Sequence, residues 1–171
     1  MLHGALAMAD AVIDTGPLVH LDEISHLHLL LPEFSAIILP EAVIHELSNQ
    51  SALEFIKQHS DTFFIESVED QEIFSAKDKH ADFRLHLADL AVLVLLKRYT
   101  DATAITDDLE LRKAIEATGC TVTGTVGILF RARKMGILSA EQLRSAIEKL
   151  FDDSSLYLSS AFKSSIISMI A

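Results

Sequence analysis

The chain has 171 residues, half of them apolar, which is enough for one folded domain and excludes extensive disorder. Fourteen basic and twenty-five acidic side chains give a net charge of −11, which argues against nucleic-acid binding driven by overall charge. The single cysteine, Cys120, excludes an internal disulfide and is typical of a reducing cytoplasm.

The first part of the chain alternates strand-like and helix-like patterns. Residues 1–10 contain no Lys or Arg and no long apolar run, so we expect no signal peptide. Residues 14–17 predict a turn, and residues 41–50 predict a helix with Pro40 in its first turn. Short runs that favour strands, the third of them at a sheet edge, are residues 11–13, 36–39 and 62–68.

Residues 85–99 carry a mixed signal. Residues 92–96 alone could form a strand, but the length of the pattern and the cations Lys97 and Arg98 at its end favour a buried helix. The longest apolar run, residues 90–96, is far shorter than the roughly 20 residues of a membrane span. We therefore expect a soluble cytoplasmic protein without a membrane segment.

The remaining segments continue the alternation. Gly119 and Gly136 end two of the helices, and Ser139 caps a third. The tail, residues 154–171, predicts an extended piece and an amphipathic helix that docks on the body or on a partner. The predicted strands are residues 102–105 and 120–123, and the predicted helices are residues 109–117, residues 128–134 and the helix that Ser139 begins.

This alternation predicts an α/β fold with three layers, α/β/α, around a central, mostly parallel sheet. We expect one domain over residues 1–171, with a core at about residues 11–138 and C-terminal helices at residues 139–171. In such sheets, ligands bind in the crevice beyond the carboxyl ends of the strands. Acidic side chains near those ends are therefore informative.

Five acidic residues are predicted to meet at this edge. Asp14 follows the first strand, and Asp107 and Asp108 follow the strand at residues 102–105. Glu46 lies about two turns into the helix after the second strand. Asp89 precedes seven consecutive apolar residues, and burying a lone carboxylate there costs several kcal/mol. We expect these residues to form one acidic pocket.

A cation would resolve the repulsion in such a pocket, because like charges raise one another's pKa. Oxygen ligands without cysteine or clustered histidine favour Mg²⁺ or Mn²⁺ over Zn²⁺. Such an ion can ready a water and stabilise the charge that develops on a phosphodiester. The alternative is structural: Asp14 as a turn residue, and Asp107 or Asp108 as a helix cap.

Several motifs together resemble the PIN-domain nucleases, VapC-type toxins included, over about residues 11–138. A later segment resembles a PIN-like branch known mostly from bacterial and archaeal genomes. The first group of motifs is VIDTGPL at residues 12–18, P-x-x-V-x-x-E-L at residues 40–47 and TDD at residues 106–108. The branch motifs are GTVGIL at residues 124–129, Ala132, Lys134 and GIL at residues 136–138.

The resemblance implies a Mg²⁺- or Mn²⁺-dependent ribonuclease that acts on RNA, forms a homodimer and could be the toxin partner of an antitoxin protein. Its acids would be Asp14, Glu46, Asp89 and one of Asp107 and Asp108. The branch commonly has Glu preceded by Gly where this chain has Asp89 preceded by alanine.

The register of the last motif leaves two readings open. A Thr-x-Asp register selects Asp108 as the ligand, with Thr106 supporting it by a hydrogen bond. Reading the pair as a unit selects Asp107. Thr15 would help to order the water near Asp14.

Other polar residues are weaker candidates. The eight histidines form no His-Glu-x-x-His pattern, so no zinc site is predicted. Arg112, one helical turn after Asp108, is the best candidate for a phosphate contact, and the densest basic cluster is Arg131, Arg133 and Lys134.

Two other classes of function remain open. The net charge and the apolar tail are compatible with a non-catalytic interaction protein on a PIN-like scaffold. An aspartyl-phosphate enzyme using Asp14 is less well matched, because Gly16 stands where a second acid is expected.

Overall fold

A computed structural model describes residues 8–170 of the chain. Five parallel strands form one sheet in the order β3-β2-β1-β4-β5, with helices on both faces, and this confirms the predicted α/β/α architecture. Residues 1–7, most of the segment assessed for a signal peptide, lie outside the described residues. The strands are β1 Ala9–Ile13, β2 Phe34–Pro40, β3 Phe63–Glu66, β4 Thr103–Ile105 and β5 Val122–Thr123.

Nine α-helices and one short 3₁₀ helix, Leu27–Leu30, occur within residues 8–170. No helix in this range combines the length and apolar character needed to span a membrane. The α-helices are α1 Thr15–Glu23, α2 Glu41–Glu46, α3 Gln50–Gln58, α4 Asp70–Lys79, α5 Leu87–Arg98, α6 Leu109–Ala117, α7 Thr125–Lys134, α8 Ala140–Asp152 and α9 Ser160–Ile170.

Each face of the sheet is covered by its own apolar cluster. Successive side chains of β1 alternate between the faces, so Val12 and Ile13 belong to different clusters, and both are fully buried. Burial on both faces explains why the central strands β1 and β2 contain short continuous apolar runs. Helix α5 lies in this interior with residues 88–96 all buried, which confirms the helical reading of that segment.

The predicted turn at residues 14–17 is wrong. Helix α1 begins directly at Thr15, with Asp14 as its N-cap. Pro17 lies in the first turn, where the backbone N–H groups have no partner within the helix and proline therefore costs little. The strand-to-helix junction fixes Asp14 more firmly than a surface turn would.

The single helix predicted over residues 41–50 is also wrong. Helix α2 ends at Glu46, and the backbone is extended at Leu47 and Asn49, with ψ of 110° and 105°. Asn49 and Ser51 donate hydrogen bonds to the carboxylate of Asp22 on α1, at 3.2 and 2.6 Å. These bonds fix the break, and they leave Glu46 at the end of a short helix.

The remaining elements follow the predicted order, with small shifts. Gly119 and Gly136 end α6 and α7 with φ of +82° and +76°, values that favour glycine. Helix α7 begins at Thr125, three residues earlier than predicted, and Ser139 caps α8. Ile166 of α9 is buried in the same cluster as Ile13, which supports our proposal that the C-terminal helices and the sheet form one domain.

Candidate functional site

Asp14 occupies the centre of the carboxyl edge of the sheet, where β1 lies between β2 and β4. Its backbone N–H donates to the carbonyl of Ile105 at 2.9 Å, which extends the β1–β4 pairing by one residue. Its Oδ1 accepts from the Thr15 N–H at 2.7 Å, and its Oδ2 accepts from the Thr106 hydroxyl at 2.9 Å. The side chain is 6% exposed and rigidly held.

The electrostatic setting of Asp14 is unfavourable for a lone carboxylate. The pKa of Asp14 is raised to about 6, mainly by burial and also by the charges of Asp89 and Asp108, against the lowering effect of its two hydrogen bonds. The carboxyl groups of Asp14 after β1, Asp89 in α5 and Asp108 before α6 therefore lie within electrostatic reach of one another.

Asp89 is held at the start of α5. Its carboxylate accepts a hydrogen bond from the backbone N–H of His86 at 2.6 Å, and its side chain is buried. Burial raises the pKa of Asp89; the charges of Asp108 and Glu46 raise it as well, while the His86 bond and charge lower it. Helix α5 thus places Asp89 at the edge of the sheet where Asp108 and Glu46 lie.

Glu46 approaches the same edge from α2. Its Oε2 accepts a hydrogen bond from the hydroxyl of Thr15 at 3.0 Å, and Thr15 follows Asp14 directly. Since the charge of Glu46 also acts on Asp89, this exposed carboxylate is part of the group. Thr15 contacts Glu46 through its side chain and Asp14 through its backbone.

Asp107 and Asp108 point to different surroundings. Asp108 caps α6 by accepting from the Leu111 N–H at 2.7 Å, and its exposed side chain acts on Asp14 and Asp89. Its own backbone N–H donates to the Thr106 hydroxyl oxygen at 3.1 Å. Thr106 is fully buried and so ties Asp108 to Asp14.

The carboxylate of Asp107 is engaged away from this group. Its Oδ2 lies 2.7 Å from Nδ1 of His20 on α1, and its Oδ1 accepts from the backbone N–H of Thr125 at 2.8 Å. The Thr125 hydroxyl donates to the same carboxylate. A side chain at Gly124 would collide with Asp107, since a Cβ there would lie 2.5 Å from Oδ1. Asp107 therefore joins α1 and α7 to the loop after β4.

The basic candidates Arg112 and Arg131 donate hydrogen bonds to groups other than the candidate acids. Arg112 donates from Nη2 to the carbonyl of Thr106 at 3.1 Å, so it braces the back of the β4–α6 loop. Arg131 donates from Nε to the buried carboxylate of Glu33 at 2.9 Å. Arg133 and Lys134 are exposed near the end of α7.

Sequence reasoning did not single out His20, Thr125 or Glu33. His20 and Asp107 are 87 positions apart, and no local pattern connects them. Thr125 lies in the GTVGIL motif, so its proximity to the acids could have been inferred only from that resemblance. Glu33 gave no signal, because one acid before a strand usually lies at the surface.

The donor chemistry of the group suits a hard divalent cation, although residues 8–170 hold no three His, Cys, Asp or Glu side chains close enough to ligate one ion. Asp14, Glu46, Asp89 and Asp108 offer only carboxylate oxygens, as Mg²⁺ and Mn²⁺ prefer. The hydrogen-bond donors to Asp14 and Asp89 are hydroxyl or backbone amide groups and not lysine or arginine side chains.

Comparison with known families agrees with this architecture. A family model described as a PIN domain matches residues 10–171. The matched range begins in β1, includes all five candidate acids and extends through α9. No curated protein shows a significant match to the chain.

Proposed function

We propose that this chain, which belongs to the PIN-domain family of nucleases, is a Mg²⁺- or Mn²⁺-dependent endoribonuclease that hydrolyses RNA phosphodiesters. The observation that carries the proposal is the setting of Asp14, a buried carboxyl whose pKa is raised by burial and by Asp89 and Asp108. A fold that needed only stability would pair or remove these charges. A site that receives a cation would keep them.

Asp14, Glu46, Asp89 and Asp108 would hold the ion, one or two of them directly and the others through its water molecules, as is usual for Mg²⁺. When bound, the ion lowers the pKa of a water and stabilises charge on the phosphodiester. Thr106 fixes the site by bonding both the carboxylate of Asp14 and the backbone of Asp108. Thr15 orients Glu46. In this assignment Asp107 is a positioning residue, because its carboxylate binds His20 and Thr125.

The net charge of −11 makes the cation important for substrate binding as well as for chemistry. Without it, the carboxylates would repel the phosphates of RNA. Arg133 and Lys134 are exposed at the end of α7, whereas the start of that helix contacts Asp107, and Arg112 would act on the substrate only through the loop that it braces.

Incubation of single-stranded RNA with the full chain tests the proposal. We expect cleavage with Mg²⁺ or Mn²⁺, none with EDTA, and a loss of about a hundredfold or more in Asp14→Asn. Asp101→Asn is the matched control, since Asp101 is exposed just before β4, at the opposite edge of the sheet, and should cut as wild type does. Equal cleavage by Asp14→Asn and wild type would refute the assignment.

The family resemblance also implies a partner protein and a cellular location, and we include both in the proposal. The chain would be the VapC-like toxin of a toxin–antitoxin pair, a homodimer, and cytoplasmic. Exposed apolar side chains on α9, among them Phe162, Ile167 and Met169, support a protein partner at that helix. Light scattering of the purified chain, alone and with the product of an adjacent gene, measures both associations.

The second candidate is a non-catalytic interaction protein on the same scaffold. The −11 charge and the exposed side chains of α9 favour it. Titration calorimetry separates the two candidates, because only the nuclease requires Mn²⁺ to bind at the acidic group.

A further inference from the structure

A groove lies beside the acidic group, at the carboxyl ends of β2 and β3. It has a volume of about 280 Å³ and shares Glu46 with the candidate site. Pro40 ends β2 at its base, and Val68 follows β3. Adjacent strands are about 4.8 Å apart, so the groove lies within about one nucleotide of the acids at the end of β1.

The groove has an apolar interior and a polar rim. Ile73 of α4 and Ala91 of α5 line it together with Leu87, whose side chain is 60% exposed at the start of α5. Leu87 and Ala91 are four residues apart on one face of α5, while Asp89 reaches the acidic group. The first turns of α5 therefore contribute side chains to both the groove and the acidic group.

We propose that this groove binds one nucleobase of a single-stranded RNA, next to the phosphate that the acidic group receives; this rests on the nuclease function proposed above. The volume lies near the lower limit of small-molecule pockets, about 300 Å³, which suits one flat ring system and not a folded segment. Unstacked bases in single strands are recognised by stacking and by contacts to their edges.

The charges of the rim select a base and not a phosphate. Glu41 and Asp70 are exposed carboxylates that line the groove, and they would repel a phosphate group. Carboxylates accept hydrogen bonds from amino groups of bases, as in their pairing with cytosine N4. The groove therefore favours bases with an exocyclic amino group over uracil.

His45 supplies the aromatic ring among the residues that line the groove. It is exposed on α2, next to Glu46 in sequence, and both residues line the groove. Histidine is one of the side chains on which single-stranded bases stack. Its ring and the side chain of Leu87 are the two groups that we expect to hold the base.

A larger cleft of about 980 Å³ lies elsewhere and is a poorer candidate. It is lined by α4, the end of α5 and the segments that lead into β4 and β5, including Cys120. These segments enter the sheet at the amino ends of its strands, opposite the candidate acids. Ligands of open parallel sheets bind at the carboxyl ends, where the smaller groove lies.

Combining side-chain substitutions in the groove with the removal of single RNA bases tests whether the groove binds a base. Fluorescent eight-nucleotide RNAs, each with one abasic nucleotide at a successive position, are bound to the full wild-type chain with Ca²⁺ in place of Mg²⁺, since Ca²⁺ is also held by carboxylate oxygens, and affinity is read by anisotropy on RNA that gels show to be intact. At one position, base removal should weaken binding about fivefold to tenfold. Under the same conditions, His45→Ala or Leu87→Ala should reduce that effect to less than about twofold.

Leu109→Ala is the matched control, because Leu109 is also the first residue of a helix and is 69% exposed. It should leave the base effect unchanged. Replacement of the sensitive base by uracil should weaken binding about threefold, and Asp70→Asn should cancel that preference. An abasic effect that is equal in all variants, or no RNA binding at all, would overturn the groove.

RNA cleavage by the wild-type chain shows whether a negative result contradicts the base-binding groove or the nuclease function. Cleavage that depends on Asp14 without any base effect on binding removes the groove and leaves the nuclease. A base effect that depends on His45 and Leu87 without any cleavage in Mn²⁺ leaves the groove as an RNA-binding site and removes the nuclease.

Discussion

Two carboxyl groups are buried at opposite edges of the sheet, Asp14 after β1 and Glu33 before β2. Burial raises the pKa of Asp14 to about 6 and that of Glu33 to about 7. Glu33 has a cation partner, since Arg131 donates to its Oε2 at 2.9 Å and lies over the ring of Phe34. Asp14 instead has other carboxyl groups nearby. A perturbed pKa alone therefore does not identify a site; the neighbouring charges do.

Helix α7 connects the two regions. Its first residue, Thr125, binds Asp107 beside the acidic group, and Arg131, two turns later, binds Glu33. The Arg131–Glu33 ion pair thus holds one end of α7 at the amino edge of the sheet. The other end of α7, at Thr125, contacts Asp107 in the loop that also carries Asp108. If this comparison is right, removing the cation partner of Glu33 should destabilise the chain, whereas removing the charge of Asp14 should stabilise the metal-free chain and abolish ion binding.

Arg131→Ala should have the largest effect on stability. It leaves Glu33 buried beside no cation, with its Oε1 already lacking a hydrogen-bond partner. Breaking a fully buried pair costs about 3–5 kcal/mol, and because Arg131 is 45% exposed we expect about 2–3 kcal/mol at pH 8 by urea unfolding. Arg133→Ala, on the same helix and exposed, should change stability by less than about 0.5 kcal/mol.

The sign of the pH dependence follows from the raised pKa of Glu33. The folded chain holds the proton up to about pH 7, so the unfolding free energy falls as pH rises from the ordinary value of 4.5 through about 7. The loss in Arg131→Ala should therefore shrink toward pH 5. Equal losses in Arg131→Ala and Arg133→Ala would remove the structural role given to this pair.

Asp14→Asn should stabilise the metal-free chain. The carboxyl of Asp14 changes its pKa from 3.8 to about 6 on folding, so the unfolding free energy of the wild type falls between about pH 4 and pH 6. The full effect corresponds to about 3 kcal/mol, and an amide that fits the two donors less well leaves an expected gain of about 1–2 kcal/mol at pH 8.

Thermal unfolding of wild type and Asp14→Asn in EDTA at pH 8 and pH 4 measures this gain. Near pH 4 the carboxyl is largely protonated in the folded chain, so the two curves should approach each other. A variant that is less stable than wild type at pH 8 would mean that Asp14 is a structural carboxylate like Glu33.

Much of the fold was predictable because the strands are short, apolar and punctuated by turn residues. Helix α6 and its closure at Gly119 were predicted to the residue, and the buried helix α5 followed from the length of its pattern. The break in α2 was not predictable, because it depends on Asp22, which lies far away in sequence. Helix α4, which has no buried residue, lacked the apolar stripe that would have indicated it.

The sequence predicted where Asp14 and Asp108 lie, but neither the separate surroundings of Asp107 nor the bonding of the acids. Position after parallel strands was enough to bring Asp14 and Asp108 to one edge. The separate surroundings of Asp107 required His20 and Thr125, whose proximity no local sequence pattern encodes. The role of Arg112 as a brace on Thr106 was hidden for the same reason, since helical spacing gives the position of a side chain and not its partner.

Addition of Mn²⁺ should stabilise wild type and not Asp14→Asn. A ligand that binds only the folded chain adds about 1 kcal/mol at about five times its dissociation constant. The effect should weaken as pH falls below about 6, because protonated Asp14 competes with the ion. Thermal shift at pH 8 and pH 5 measures it, with Glu33→Gln as the control that retains the Mn²⁺ response.

Asp108→Asn and Asp107→Asn should have the smallest effects on stability, and they divide the roles of the two residues. Asparagine caps a helix about as well as aspartate, so Asp108→Asn should change stability by less than about 0.5 kcal/mol. Removing this charge should nevertheless lower the pKa of Asp14 and of Asp89, since Asp108 raises both. Carboxyl carbon chemical shifts followed by NMR against pH report this directly.

Asp107→Asn should behave in the opposite way. It leaves the charges around Asp14 in place, so the pKa of Asp14 should stay near 6, while the weaker contacts to His20 and Thr125 loosen the start of α7. Faster amide exchange at Thr125 is the expected signature. If Asp107→Asn moves the titration of Asp14 and Asp108→Asn does not, then Asp107 is the member of the acidic group, and the tie from Asp14 through Thr106 to Asp108 is only structural.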